Sequence, residues 1–278
     1  MIRIKGITKR YGGTTALSGV SLDVTEGEIF AYLGPNGAGK TTTIRILTGL
    51  TRLTQGAAVV GGHDIAASPL DAKRQCGLVP QTVNLDNELS VRENLDIHGR
   101  LFGLPGQTRR DRIATLLDYV GLGGKERVQV KKLSGGLKRR AMIARALVHE
   151  PRILFLDEPS VGLDPAIRRK IWALIRQIQA DGTTIFLTTH YIEEAEFLAD
   201  RVAFLDEGRI VALDTPESLM GRLGQWSVDL LMNHHMETRH FETREEAQAY
   251  AAAREGSFTV RRVNLEDAFL AQTGKKIQ

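Results

Sequence analysis

One segment constrains the fold of this chain more than any other: residues 34–41 read GPNGAGKT. They match the pattern G-x-x-x-x-G-K-[ST], in which glycines allow backbone N–H groups to converge on phosphate oxygens. Residues 28–32 before the segment, apolar after Glu28, are typical of a buried strand, and apolar positions within 41–50 have helical spacing. A helix that begins at such a loop directs its dipole toward bound anions. The order strand, glycine loop, helix therefore predicts a phosphate-binding loop.

The side chains that end this segment have chemistry suited to a triphosphate. Lys40 is predicted to reach the β and γ phosphates, and the Thr41 hydroxyl is a candidate ligand for Mg²⁺. The rest of the loop contributes mainly through its backbone. The residues predicted to contact the nucleotide are Gly34, Pro35, Asn36, Gly37, Ala38, Gly39, Lys40, Thr41 and Thr42.

A second segment, 153–158, reads ILFLDE and is an apolar strand that ends in two carboxylates. An aspartate at the carboxyl end of a buried strand, beside a phosphate loop, suits association with Mg²⁺, and this role is predicted for Asp157. Glu158 follows on the opposite side of the backbone and is predicted to be the base that orients the attacking water. Alone, such a strand end is more often the start of a solvated loop. The glycine loop earlier in the chain favours the catalytic interpretation.

The composition indicates a globular chain and bounds its function. Of 278 residues, 42% are hydrophobic and 25% are charged, and the net charge is +4. This basic excess is too small to argue for nucleic-acid binding, and no stretch approaches the roughly 18 to 20 apolar residues of a membrane helix. Cys76 is the one cysteine, so an internal disulfide is impossible. If the protein acts at a membrane, we expect it to act from outside the bilayer.

Strands and helices alternate along the chain, which favours an α/β fold with a mostly parallel sheet. A domain boundary is predicted near Pro216, because the residues before it carry 29 Lys and Arg against 24 Asp and Glu, whereas those after it carry 8 against 9. In the tail, strands are predicted at 227–231 and 258–263, and helices at 245–254 and 265–272.

A third motif reads LSGG and precedes a predicted helix; its residues are Leu133, Ser134, Gly135 and Gly136. Glycines and a hydroxyl at a helix start can hold a γ-phosphate. Together the three motifs resemble the ATP-binding subunits of ATP-binding cassette (ABC) transporters, over about residues 2–216. In that family the LSGG segment serves the nucleotide bound by the other subunit of a dimer.

Four further positions match the family's pattern in order, and their order and spacing strengthen the resemblance. It implies that Tyr11 stacks on adenine, that Gln81 lies near Mg²⁺ and the attacking water, that Asp164 belongs to the loop touching the partner subunit, and that His190 senses the γ-phosphate. Leu137 stands where the commonest signature has Gln, so no polar role is expected there. The basic residues 138–140 and LEDAFL at 265–270 resemble the ABC-2 exporter branch, of the drug-resistance and nodulation-factor type.

The resemblance also implies an architecture. Residues 1–216 would form an α/β P-loop NTPase domain of the ABC type. It would have a RecA-like core, an N-terminal antiparallel β subdomain and an inserted α-helical subdomain at about 82–145. Residues 217–278 would form a small α+β C-terminal extension.

The same resemblance implies a set of partners. They are ATP with Mg²⁺ as cofactor, a second copy of the chain in a head-to-tail homodimer, and an ABC-2-type integral membrane permease. The chain would lie at the cytoplasmic face of the cell membrane, and no nucleic acid is expected as a partner.

Two other classes of protein remain open from the residues alone. A soluble ABC-type ATPase acting on DNA or ribosomes is expected to carry long coiled coils, zinc-binding cysteines or a second cassette. A nucleotide-gated binding module without turnover has no need of Glu158, Gln81 and His190. The tail histidines His234, His235 and His240 lack carboxylate or cysteine partners at convincing spacing, so they are interpreted as exposed residues rather than metal ligands.

Overall fold

A mixed six-stranded sheet forms the centre of the chain. The computed structural model describes residues 1–232, 235–254 and 256–274. Five neighbouring strands are parallel, and the sixth pairs antiparallel at one edge. From that edge the strands are β10 (Arg209–Asp214), β9 (Arg201–Asp206), β3 (Ile29–Leu33), β8 (Thr184–Thr189), β7 (Ile153–Asp157) and β6 (Cys76–Val79).

Both faces of this sheet are covered, which explains why its strands are nearly continuous apolar runs. In β3, Phe30 and Tyr32 pack into one apolar cluster, whereas Ala31 and Leu33 pack into the cluster on the opposite face. Because strand side chains alternate between faces, each parallel strand contributes to two cores. The α/β architecture predicted from the sequence is confirmed.

An antiparallel sheet and α1 (Lys40–Leu47) cover the first face. The first two strands extend beyond the apolar alternation of their residues. Positive φ angles at Gly6 and Gly19 and several register shifts interrupt their apolar alternation, so the pattern in the sequence ends before the pairing does. In order across this sheet the strands are β2 (Thr14–Val24), β1 (Ile2–Tyr11), β4 (Gln55–Val60) and β5 (His63–Asp64).

Helices cover the second face, and three of them come from the insertion between β6 and β7. A capping box begins the first of these helices: the Ser90 hydroxyl accepts from Glu93 N–H, and the Glu93 carboxylate accepts from Ser90 N–H. Among the described residues, no helix is both long and apolar enough to cross a bilayer. The helices are α3 (Val91–Leu101), α4 (Gly106–Tyr119), α5 (Gly135–Leu147), α6 (Pro165–Ala180) and α7 (Ile192–Leu198), and an unpredicted short helix, α2 (Pro69–Arg74), lies between β5 and β6.

The tail contains a strand and a short helix, residues 235–241 and 216–221, that were not predicted. Residues 235–241 form an edge strand although HMETRHF has little apolar alternation; its seven-residue register with the central tail strand supplies the pairing instead. His240 Nδ1 lies 3.0 Å from the Ser227 hydroxyl, and His234 lies outside the described residues. The tail elements are α8 (Pro216–Gly221), β11 (Trp226–Met232), β12 (His235–Phe241), α9 (Arg244–Ala252), β13 (Ser257–Arg262) and α10 (Leu265–Thr273).

The last helix returns to the main core. Leu265 and Phe269 are buried in the same apolar cluster as the α5 to α7 layer, and the Phe269 ring meets Phe204 of β9 edge-on at 5.2 Å. The backbone N–H of Leu265 donates to the Glu196 carboxylate of α7 at 3.0 Å. The domain boundary near Pro216 stays a prediction.

Arg261 joins the tail sheet to the start of α10. Its guanidinium donates to Asp229 on β11 at 2.7 Å and to both carboxylate oxygens of Asp267 on α10, at 2.7 and 2.8 Å. Burial of Asp267 tends to raise the pKa of its carboxyl, but the hydrogen bonds from Arg261 and the Asn264 backbone outweigh burial and hold that pKa below its usual value. Asp267 therefore stabilises the tail at neutral pH and loses this contribution as the pH falls through its lowered pKa.

We expect Arg261→Met to lower the free energy of unfolding of the tail by about 3 kcal/mol, because it leaves two buried or half-buried carboxylates without their cation. Thermal unfolding and limited proteolysis of the full chain measure the change. The neighbouring exposed Arg262→Met is the control and should cost less than about 1 kcal/mol. Equal effects of the two substitutions would contradict a special role for the Arg261 bridge.

Candidate nucleotide site

The glycine loop connects the end of β3 to the start of α1, and its two outer glycines cannot carry side chains. A Cβ on Gly34 would lie 2.3 Å from the Leu205 carbonyl oxygen. Gly39 has a φ of +109°, and a Cβ there would lie 2.7 Å from the Ala16 carbonyl oxygen. The loop is therefore fixed between β9 and β2, while Asn36 and Gly37 at its tip stay exposed.

Lys40, at the start of α1, is buried with its ammonium group folded back over the loop. Nζ donates to the carbonyl oxygens of Gly34 at 2.8 Å and Pro35 at 3.1 Å, and it lies 3.2 Å from Glu158 Oε1. The ammonium group thus donates two hydrogen bonds to the loop and forms an ion pair with Glu158. An anionic oxygen that approaches the loop can exchange for these partners without moving the lysine backbone.

Glu158 is the meeting point of the predicted catalytic residues. Besides Lys40, its carboxylate lies 2.8 Å from His190 Nδ1 and accepts a long hydrogen bond of 3.4 Å from the Gln81 amide. The imidazole is close enough for an ion pair, but its N–H direction does not give a well-aligned hydrogen bond. Glu158 also has a φ of +50°, which is uncommon for a residue with a side chain and is typical of functional sites.

Asp157 lies on the other side of the same backbone and faces Thr41. Its Oδ1 accepts from the Thr41 hydroxyl at 3.2 Å and from the Thr188 hydroxyl at 2.6 Å. Thr41, Gln81 and Asp157 line one small cavity of about 180 Å³. The three side chains that the sequence predicts as metal ligands thus come together at one place.

The LSGG segment and Asp164 lie apart from this cluster and pack on each other. Ser134 caps α5 by accepting from the Leu137 N–H, and Asp164 caps α6 by accepting from the Ile167 N–H. A Cβ on Gly136 would lie 2.5 Å from Ile167 Cγ2, Gly135 faces Leu163, and Leu133 is buried. Among the described residues, no hydrogen bond or ion pair joins these positions to Lys40.

Tyr11 also stands outside the cluster. It is exposed at the turn that joins β1 to β2, and the Lys9 ammonium lies 4.6 Å from the centre of its ring. The base of the same hairpin contacts the glycine loop, since Ala16 approaches Gly39. The ring is thus available to a flat group on the hairpin side of the loop, as a residue predicted to stack on adenine requires.

Sequence reasoning missed Arg139, which holds the Gln81 segment in place. Its guanidinium donates to the carbonyl oxygens of Pro80 at 2.9 Å and Gln81 at 3.0 Å. The side chain is buried, and desolvation lowers its pKa. A signal existed, because position 139 lies at helical spacing from the buried Met142 and Ile143 and so faces the core.

Comparison with known proteins decides the family. The family model described as ABC transporter matches residues 17–161, more than half of the chain. The chain belongs to the ABC transporter family. Nod factor export ATP-binding protein I of Ralstonia nicotianae is 44% identical over 220 residues, covering 79% of this chain and 68% of that protein. A daunorubicin resistance ATP-binding protein of Streptomyces coeruleorubidus is 42% identical over 236 residues, covering 85% of this chain and 73% of that protein.

A solved ABC cassette has the same fold. It is a dimeric ATP-binding cassette in a post-hydrolysis state with ADP and Pi, 30% identical in sequence, with a TM-score of 0.70 over 77% of this chain and 98% of that one. Membership of the ABC transporter family makes this chain an ATP-hydrolysing subunit. The names of the two relatives, for export and drug resistance, agree with the resemblance to the ABC-2 exporter branch.

Proposed function

We propose that this chain hydrolyses ATP with the cluster around Glu158 and thereby drives export through a separate ABC-2-type permease. One observation carries the proposal. Lys40, Gln81 and His190 are far apart in sequence, yet each lies within 3.4 Å of the Glu158 carboxylate at the carboxyl ends of the parallel strands. That edge is where α/β sheets bind ligands.

Glu158 is the proposed general base. A carboxylate at this position can orient water for in-line attack on the γ-phosphorus and accept its proton. The positive charge of Lys40 and the imidazole of His190 flank the same carboxylate, so both are placed to stabilise negative charge on the transferring phosphoryl group. The Gln81 amide, whose backbone carbonyl is held by Arg139, is proposed to help orient the water.

The donor set beside Asp157 fits Mg²⁺. The oxygen donors that line the cavity include the Thr41 hydroxyl, the Gln81 amide and the Asp157 carboxylate, beside the Arg45 side chain. Mg²⁺ is usually bound by one or two carboxylates together with substrate phosphates. Thr41, Gln81 and Asp157 would hold the ion. When bound, Mg²⁺ neutralises charge on the β and γ phosphates.

A second copy of the chain is proposed to complete the site. Ser134 and Gly136 have phosphate-binding chemistry, but within one chain no hydrogen bond or ion pair joins them to Lys40 among the described residues. In a head-to-tail arrangement of two chains, the LSGG segment of each chain would cover the nucleotide held by the other. Asp164 would lie near the dimer interface. ATP then closes the dimer, and loss of the γ-phosphate opens it.

The proposed permease contact lies on the helical insertion that follows Gln81 in the chain. Leu101 of α3 is 79% exposed, Ile97 and Val83 are also exposed, and Leu101 lines a cavity of about 580 Å³ together with Phe102. Exposed apolar residues of this kind mark a protein contact. A chain bound there to a membrane protein would sit at the cytoplasmic face, where ATP is available.

The alternative is an ABC-type ATPase that acts on DNA or ribosomes. We expect the tagged full chain, captured from solubilised membranes after nuclease treatment, to bring down a polytopic membrane protein. Leu101→Glu should lose this partner while its ATPase activity is retained, because the charge lies away from the Glu158 cluster. The matched control is Leu231→Glu on the exposed tail sheet. Capture of nucleic acid or ribosomes instead would favour the alternative.

A further inference from the structure

A carboxylate that the mechanism above does not use lies behind the Glu158 cluster. Glu194 is on α7, four residues after His190, and it is fully buried. Its Oε1 accepts a hydrogen bond from the Ser160 hydroxyl and another, of 2.8 Å, from the Trp172 indole N–H. A buried carboxylate is costly to the fold unless it is hydrogen-bonded, and among the described residues Glu194 has well-aligned partners at Oε1 only.

The groups that surround Glu194 come from both catalytic segments. Ser160 lies two residues after Glu158. Thr189 immediately precedes His190, and its hydroxyl lowers the pKa of the same carboxyl. Trp172 is on α6, the helix that begins beside Asp164. One carboxyl thus connects the segment that carries the proposed base to the segment that carries the proposed γ-phosphate sensor.

The sheet itself does not fix these two side chains. The last paired residues of β7 and β8 are Asp157 and Thr188, and both Glu158 and His190 follow them. Glu158 N–H still donates to the Thr188 carbonyl oxygen at 3.0 Å, and Thr189 pairs with Leu33 of β3, but His190 lies beyond the last paired residue of β8. The distance between the two side chains therefore depends on side-chain hydrogen bonds outside the sheet.

The charges around Glu194 favour a hydrogen-bonded over an ion-paired carboxyl. Burial raises its pKa, and the donors Ser160, Thr189 and Trp172 oppose that rise. The nearest cations on the neighbouring helices are Arg139 of α5 and Arg168 of α6, and no hydrogen bond joins either to Glu194 within the described ranges. Oε2 has no well-aligned partner among the same residues.

The geometry assigns Glu194 as a positioning residue. It fixes the separation of Glu158 and His190, so that both side chains can contact the same γ-phosphate. This inference rests on the proposed function. Its consequence is kinetic, because a displacement of about 1 Å in a catalytic group can cost about 10²-fold in rate. ATP affinity depends mainly on the loop around Lys40, on the other side of the cluster, and should change little.

The test compares Glu194→Ala with Glu194→Gln in the full chain, with Glu193→Ala as control because Glu193 is exposed on the same helix. We expect Glu194→Ala to lower kcat for ATP by about 10- to 100-fold with KM within about 3-fold of the wild type. Glu194→Gln should keep most of the activity, since the amide oxygen accepts the same hydrogen bonds. Glu193→Ala should behave as the wild type.

Three outcomes would overturn the inference: wild-type kcat in folded Glu194→Ala, an equal loss in Glu194→Gln, or a loss that follows the folded fraction measured by thermal unfolding. If Glu194→Ala does not fold, Ser160→Ala is tested in its place. This variant removes the hydroxyl that joins Glu194 to the Glu158 segment, and it should lower kcat at unchanged KM. Wild-type kcat in Ser160→Ala refutes the inference equally.

The same assay separates this inference from the proposed function. Glu158→Gln is included as a reference and should be inactive. If Glu158→Gln turns over ATP like the wild type, the assignment of the base fails whatever Glu194 does. If Glu158→Gln is inactive and the Glu194 variants are normal, only the positioning role fails.

Discussion

Glu158→Gln is expected to lower ATP turnover by about 10²- to 10⁴-fold while ATP binding is retained. The amide keeps the size of the side chain and can still meet Lys40 and Gln81, but it cannot accept a proton from water. Turnover is measured by phosphate release, and binding by nucleotide titration of the purified chain. Because hydrolysis is blocked, the variant should also accumulate an ATP-bound dimer, visible as a doubled mass in solution.

The exposed Glu193→Gln is the matched control, since it makes the same chemical change on the neighbouring α7 surface. It should hydrolyse ATP at the wild-type rate. Chelation of divalent cations should stop turnover in the wild type, as expected if the Asp157 cavity holds Mg²⁺. Wild-type turnover by Glu158→Gln would refute its assignment as the base.

Two variants that are each inactive should recover activity when mixed. Lys40→Ala disables the phosphate loop, and Ser134→Arg disables the LSGG segment. In a head-to-tail dimer of one chain of each kind, one site combines both defects and the other site is intact. A 1:1 mixture should therefore reach up to about a quarter of the wild-type activity, because half of the randomly formed dimers contain one working site of two.

The control replaces Ser134→Arg by the double variant Lys40→Ala/Ser134→Arg. Mixed with Lys40→Ala, it leaves no chain with a working phosphate loop, so no activity should return. Activity in this control would show contamination by wild-type chain. If the first mixture also stays inactive although both variants fold and exchange subunits, the LSGG segment does not complete the site of the partner.

The sequence predicted the local chemistry well where a backbone conformation demands particular residues. Gly34 and Gly39 stand where a Cβ would collide with a neighbouring carbonyl oxygen, and such positions can be recognised from the pattern of glycines alone. The strand 153–157 was predictable because burial on both faces requires an unbroken apolar run. Strand β12 was missed because pairing with β11, rather than its own residue pattern, makes it a strand.

By itself, the sequence determined which groups can bind a phosphate, accept a proton or cap a helix, since these properties belong to single residues and short segments. Only the tertiary structure decided which of them meet. Lys40, Glu158 and His190 lie on three separate segments and converge because parallel strands end at one edge of the sheet. Arg139 and Glu194 are charged residues in helices, and the packing of α5, α6 and α7 buries them and gives them partners. Burial is a property of the assembled layers, so no local pattern fully specifies it.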